Sequence, residues 1–361
     1  MISGTIIGAG LFSLPYITYK VGVWVILGYF LVLGIVVSLI HSFFGELALQ
    51  TPDFKRLPGF AKIHLGSWAE RIIFVTTIFG LFGSLLAYLI LGGQFLEGLL
   101  SPFLGGAYIS YVLLYLVLGS ILIFLGINIV AKIELFGLLG FFIVLILMFV
   151  KGFPHITLVN LMETESRGFS LANFFLPFGP IFFALWGPSL IPEAEEILGK
   201  DRKTIKNVVL VASLIPIVIY LLFIILILGI TGANTTESAL IGLNGFLGRG
   251  IFSLGLLFGL LTTFTSFIAL GLTLKNVFLY DLKIKKPLAW LITCSFPLIL
   301  FLLGFNKFIP VISFIGGVLL AFEGIMILLM YRKINPTNRL VFPLILILMA
   351  GIIYQIAYSI K

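Results

Sequence analysis

The sequence predicts an all-α polytopic membrane protein, built as two five-helix repeats, the second inverted, with an eleventh transmembrane helix at the end. Three observations carry this. Hydrophobic residues make up 61% of the 361 and charged residues 10%, against roughly 25% charged in a soluble domain. Continuous apolar runs long enough to cross a bilayer, about 20 residues, recur along the whole chain. The first and sixth of these runs are interrupted by glycine and proline in matching ways.

The runs are continuous rather than alternating, which excludes a strand barrel. Eleven can be drawn, at 2–19, 21–49, 71–100, 107–128, 135–150, 171–197, 208–230, 250–280, 287–304, 308–331 and 340–360. They group as residues 1–150 for the first repeat, 170–331 for the second and 340–360 for the extra helix, one transporter-like domain in all. The semi-polar stretch 235–246 is expected as a short helix at the surface. The single cysteine, Cys294, rules out an internal disulfide framework and a multi-cysteine metal site. No basic segment precedes the first apolar run, as a cleavable signal peptide requires. HExxH, GxSxG and paired-aspartate motifs are missing from the spans, so the chain is not read as an enzyme.

The net charge is +8. Because the positive residues cluster in alternate loops, this is a topology signal and not a nucleic-acid surface. Sixteen Lys/Arg, among them Lys55, Arg56, Lys62, Lys132, Lys203, Lys285 and Arg332, fall on one side and six on the other. The richer side is cytoplasmic. The chain is thus expected as a multi-pass protein of the inner or plasma membrane, N-terminus inside and C-terminus outside.

The first run reads Gly4-Thr5-Ile6-Ile7-Gly8-Ala9-Gly10-Leu11-Phe12-Ser13-Leu14-Pro15, and the sixth carries Gly187-Pro188-Ser189-Leu190-Ile191-Pro192-Glu193. Gly10 precedes Pro15 by five residues, as Gly187 precedes Pro192. Paired interruptions in corresponding halves are the sequence sign of a transporter's midplane site. Backbone freed by a helix break is tolerated in a membrane only against protein or a wet cavity. The second half-helix of span one would offer a positive dipole end to an anion, and the first half-helices would offer carbonyls to a cation. A zwitterion, carboxylate plus ammonium, suits both. The alternative for Gly4 and Gly8 is a small-residue helix contact.

These residues resemble a known family. "GTIIGAGLFSLP" is similar to the first-helix motif of the bacterial tryptophan and tyrosine permeases, the hydroxy and aromatic amino acid permeases. Thr265 to Leu274, with Tyr280-Asp281-Leu282, resembles their eighth helix. "GPSLIPEAEEIL", Gly187 to Leu198, is more similar to the sixth helix of the amino acid and auxin permeases. The resemblance covers nearly the whole chain and implies the leucine-transporter-type fold of the amino acid–polyamine–organocation superfamily. It implies a secondary amino acid transporter that works by alternating access, with a small-molecule substrate, an aromatic or neutral amino acid, and the lipid bilayer as partners. A non-transporting sensor on the same fold is the rival. Two departures stand out. Only three residues precede the motif, where those families carry further turns, so either a truncated or a misassigned start is expected. Histidine is common in the auxin permeases where Gly187 stands.

Ile7, Gly8, Ala9 and Gly10 are the candidates for the substrate carboxylate, and Ala184, Leu185, Trp186 and Gly187 for its ammonium. Trp186 would wall the side-chain pocket or simply pack. Tyr88, on a face with Gly80, Gly83, Ser84 and Ala87, would cap the site or make an interhelical hydrogen bond. No cofactor is expected beyond a coupling ion. For sodium, the resemblance points to Thr265 and Ser266, with Thr262 on the same face as Ser266 and carbonyls near Ile6 and Ile7; oxygen ligands suit a hard cation. Back-bonding of these hydroxyls to their own helix is the alternative. For a proton, the buried ionisable candidates are His41 first, then Glu46, which would equally serve as a structural pair at the interface. Glu97 and Glu323 also lie within spans, and Glu193, Glu195 and Glu196 end span six as a gate or anchor.

Overall fold

A computed structural model describes residues 6–51, 56–126, 140, 143–162, 171–188, 191 and 202–359. Gly4, Thr5, Ser189, Glu193, Glu195 and Glu196 lie outside the described residues. The principal helices are α1 Gly10–Val21, α2 Val23–Gln50, α3 Ser67–Leu104, α4 Tyr108–Leu125, α5 Ile143–His155, α6 Phe178–Leu185, α7 Arg202–Thr231, α8 Arg249–Asn276, α9 Lys286–Leu302, α10 Phe308–Ile334 and α11 Val341–Ser359. A short helix, Leu57–Leu65, joins α2 to α3. Seven of the described helices are long and apolar enough to cross a membrane, and three further apolar helices are shorter. Span five is described from Ile143 and runs on to His155, past its expected end.

Water does not drive helices together inside lipid, so close packing must. Glycines make the seams. A Cβ on Gly93 of α3 would lie 2.6 Å from the Val112 side chain of α4, and one on Gly119 of α4 would lie 2.7 Å from the Phe267 ring of α8. The closest backbone-to-backbone seam joins α6 to α10. A Cβ on Gly316 would overlap the Gly179 carbonyl oxygen and lie 2.7 Å from the Phe183 nitrogen, and one on Gly179 would lie 2.7 Å from Ser313 Cα. Here α10 widens into a π-helical segment, Ile315–Leu320, a local form that often marks functional sites. Large apolar side chains such as Leu31, Val117 and Leu346 are exposed on the outside, as lipid contact requires.

The stretch 235–246 departs from expectation. It is not a surface helix but a set of turns closed by a 3-10 segment, Leu240–Leu243, with Thr235, Ser238, Ala239, Leu240 and Leu243 all buried. Its polar groups satisfy one another. The Thr231 and Thr235 hydroxyls lie 2.6 Å apart, and Gly242 N–H donates to Thr236 Oγ1 at 3.1 Å. Internal pairing removes the cost of burying them.

Candidate functional site

The first break falls where glycines crowd. Ile6 is helical, the chain leaves the helix over Ile7, Gly8 and Ala9, and α1 starts at Gly10. Gly8 N–H turns back to Ile6 O at 2.9 Å, and Leu11 N–H reaches Gly8 O at 3.2 Å. Ala9 has no side-chain oxygen, so no side chain caps the first N–H groups of α1. The second break follows α6, which ends at Leu185; Trp186 is extended at φ −75° and ψ 126°. Pro188 and Pro192 lack the N–H groups that would continue the helix.

The two breaks touch. A Cβ on Gly10 would lie 2.6 Å from both Cα and Cβ of Ala184, and one on Gly187 would overlap the Ile6 side chain. Tyr220 of α7 fastens them: its hydroxyl lies 2.7 Å from Ile6 O and 2.7 Å from Ala184 O. One O–H proton is thus shared between a carbonyl from each break. Ala9 N–H donates to the Tyr88 hydroxyl at 3.3 Å, so the interhelical bond expected as the alternative for Tyr88 is formed. Ile7, Ala9, Tyr88, Ala184 and Leu185 are all buried.

His41 of α2 is tied to the second break. Gly187 N–H donates to His41 Nε2 at 3.3 Å, and Nδ1 lies 3.1 Å from Ser213 Oγ, which donates to Val209 O at 2.9 Å. With Nε2 accepting and the Ser213 proton already given away, the proton must sit on Nδ1. This network assigns the neutral Nδ1–H tautomer. Trp186 stacks on Phe182, centroids 5.1 Å apart, and its ring lies 6.0 Å from that of His41.

The other coupling candidates do not gather here. Glu46 accepts a hydrogen bond from the Tyr331 hydroxyl at 2.9 Å, at the far end of α2, where Phe43 stacks on Tyr331 at 4.1 Å. Thr265 bonds back to Thr262 O of its own helix at 3.1 Å. Thr262 Oγ1 is buried with no hydrogen-bond partner, while Ser266 is half-buried. Glu97 is half-buried near the end of α3. Sequence reading missed Tyr220, Ser213 and Thr77, whose hydroxyl donates to Glu323 at 2.8 Å. The only signal for Tyr220 was a lone phenol in an apolar span.

Solved structures share the fold. A nucleobase–cation symport-1 family transporter, Mhp1, in its inward-facing conformation superposes with a TM-score of 0.67 at 14% identity, covering 99% of this chain and 87% of that one. MhsT in complex with L-phenylalanine superposes with a TM-score of 0.64 at 14% identity, covering 97% of each chain. The fold is therefore the leucine-transporter-type inverted repeat. Among curated proteins, tyrosine-specific transport system 1 of Haemophilus influenzae is 26% identical over 289 residues, 76% of this chain and 70% of the relative. The profile of the tryptophan/tyrosine permease family matches residues 1–354, broken helices included, and the chain belongs to that family.

Proposed function

We propose that the facing breaks of α1 and α6 hold the α-carboxylate and α-ammonium of an aromatic amino acid, and that a proton drives its symport. The chain is a secondary active amino acid transporter by its family and its fold. The observation that carries the substrate reading is the contact of the breaks at Gly10 and Ala184. It puts the N-terminus of α1, which no side chain caps, beside the last carbonyls of α6. The carboxylate would replace the Tyr88 oxygen as acceptor for Ala9 N–H, a charge-assisted bond for a neutral one, and Tyr88 would then donate to it. The ammonium would take the carbonyls that follow Ala184. Trp186 and Phe182 would stack on the substrate ring. The aromatic preference rests on the relative's name and on these rings. We place the N-terminus in the cytoplasm on the loop charges.

Uptake of radiolabelled L-tyrosine and L-tryptophan into proteoliposomes tests this. The free amino acids should enter, and their methyl esters, which keep the side chain but lose the negative charge, should neither enter nor compete. Equal uptake of ester and acid would overturn the assignment. An imposed pH gradient should drive uptake in sodium-free buffer. The second reading, sodium coupling, is favoured by the buried and unpartnered Thr262 hydroxyl. If it holds, sodium-stimulated uptake persists after the pH gradient is collapsed, and Ser266→Ala raises the sodium concentration needed for half-maximal rate.

A further inference from the structure

We propose that Glu323 is the residue that takes up the coupling proton, and that Thr77 carries the change in its charge to α3. The inference rests on the proton-symport reading above.

Glu323 lies in the middle of α10, just past the π-helical segment, and is 5% exposed. Thr77 Oγ1 of α3 donates to its Oε1 at 2.8 Å. Glu323 therefore ties α10 to α3, with the Trp186 ring packed close by. Gly324 makes room for it: a Cβ there would lie 3.4 Å from the tip of Trp186 and 3.4 Å from Ile40 of α2.

A buried carboxylate is ordinarily matched by a cation. Among the described residues the ion pairs are Arg56–Asp281 and Lys62–Glu70, and neither involves Glu323. Nor, among the described residues, does another titratable group on the neighbouring helices reach its carboxyl. On α2, His41 stands beyond Trp186 and Glu46 is bound to Tyr331, eight residues or about 12 Å along α10 from Glu323. On α3, Glu70 is paired with Lys62, Arg71 is exposed, and Glu97 is twenty residues, about 30 Å, beyond Thr77. On the short helix, His64 is bound to Thr51. On α11 the only titratable groups are Tyr354 and Tyr358, whose rings stack 5.8 Å apart. On α10 itself, Tyr331, Arg332 and Lys333 close its last turns.

His41 is a positioning residue instead. Both its nitrogens are already engaged, and a second proton on Nε2 would point at Gly187 N–H. Glu323 has no such conflict. As a carboxylate it accepts from Thr77. On taking a proton from the outer solution it becomes a carboxylic acid, and on release to the cytoplasm the carboxylate returns. Hydrogen bonds to an ionised group are roughly twice as strong as neutral ones, so protonation loosens the tie between α10 and α3.

The test uses purified wild type, Glu323→Gln and Glu323→Asp in proteoliposomes with radiolabelled L-tyrosine. A pH gradient of about one unit sustains up to about tenfold accumulation by one coupled proton. Wild type and Glu323→Asp should accumulate tyrosine in sodium-free buffer. Glu323→Gln, fixed neutral, should lose accumulation, keep exchange of internal for external tyrosine at a rate close to wild type, and show no pH dependence of that exchange. Wild-type accumulation by Glu323→Gln would overturn the inference alone. So would loss of both exchange and tyrosine binding in Glu323→Gln and Glu323→Asp alike, which marks a structural role. No gradient-driven uptake by wild type would overturn the proton reading itself, and this inference with it.

Discussion

Gly10→Ala abolishes transport while the protein still inserts and purifies as a folded species. The added methyl would stand 2.6 Å from Ala184 Cα and Cβ, and neither atom can swing aside as a side-chain tip can. The breaks of α1 and α6 must then part by close to 1 Å. A misplacement of that size at a site built from positioned backbone groups costs on the order of 100-fold in rate. Gly28→Ala is the control, since nothing lies within 4 Å of the added carbon. Initial rates of L-tyrosine uptake, normalised to protein that elutes as a single peak, decide the matter. Wild-type uptake by Gly10→Ala would mean that the two breaks are not in contact in the working cycle.

Tyr220→Phe should weaken substrate binding with little change in shape. It removes one oxygen and leaves Ile6 O and Ala184 O, both buried, without their shared donor. An unsatisfied buried group costs about 1–3 kcal/mol, which corresponds to about 5–150-fold in an equilibrium constant. The dissociation constant for L-tyrosine, read by equilibrium binding to the detergent-solubilised protein, should rise within that range. The melting temperature should fall as well. Unchanged affinity with a lowered melting temperature would assign Tyr220 to the fold alone.

The broken helices were legible because the chemistry that breaks them is local. Glycine and proline act on their own backbone, so Gly8, Gly10, Gly187 and Pro188 announce the interruptions without knowledge of any neighbour. The partners were not legible. Thr77 and Glu323 meet across 246 residues of sequence, Tyr220 and Ile6 across 214, and His41 and Gly187 across 146. Helical periodicity states which face a residue occupies, not which helix will face it. Hydroxyls were the least readable. Thr262, Thr263 and Thr265 are adjacent and chemically alike, yet Thr263 and Thr265 bond back to their own helix while Thr262 does not. The stretch 235–246 misled for a related reason. Its polarity was read as contact with water, but it is consumed internally.

The seam between Gly179 and Gly316 has a mechanical consequence. Backbone resting on backbone is stiff, because no rotamer can change to absorb a displacement. The first half of span six, Phe178–Leu185, and the middle of α10 must therefore turn together as one lever. Among the described residues of span six, Trp186 and Gly187 form the joint, two residues without helical restraint. Any torque that substrate closure applies to that joint is delivered undamped to the stretch of α10 that carries Glu323.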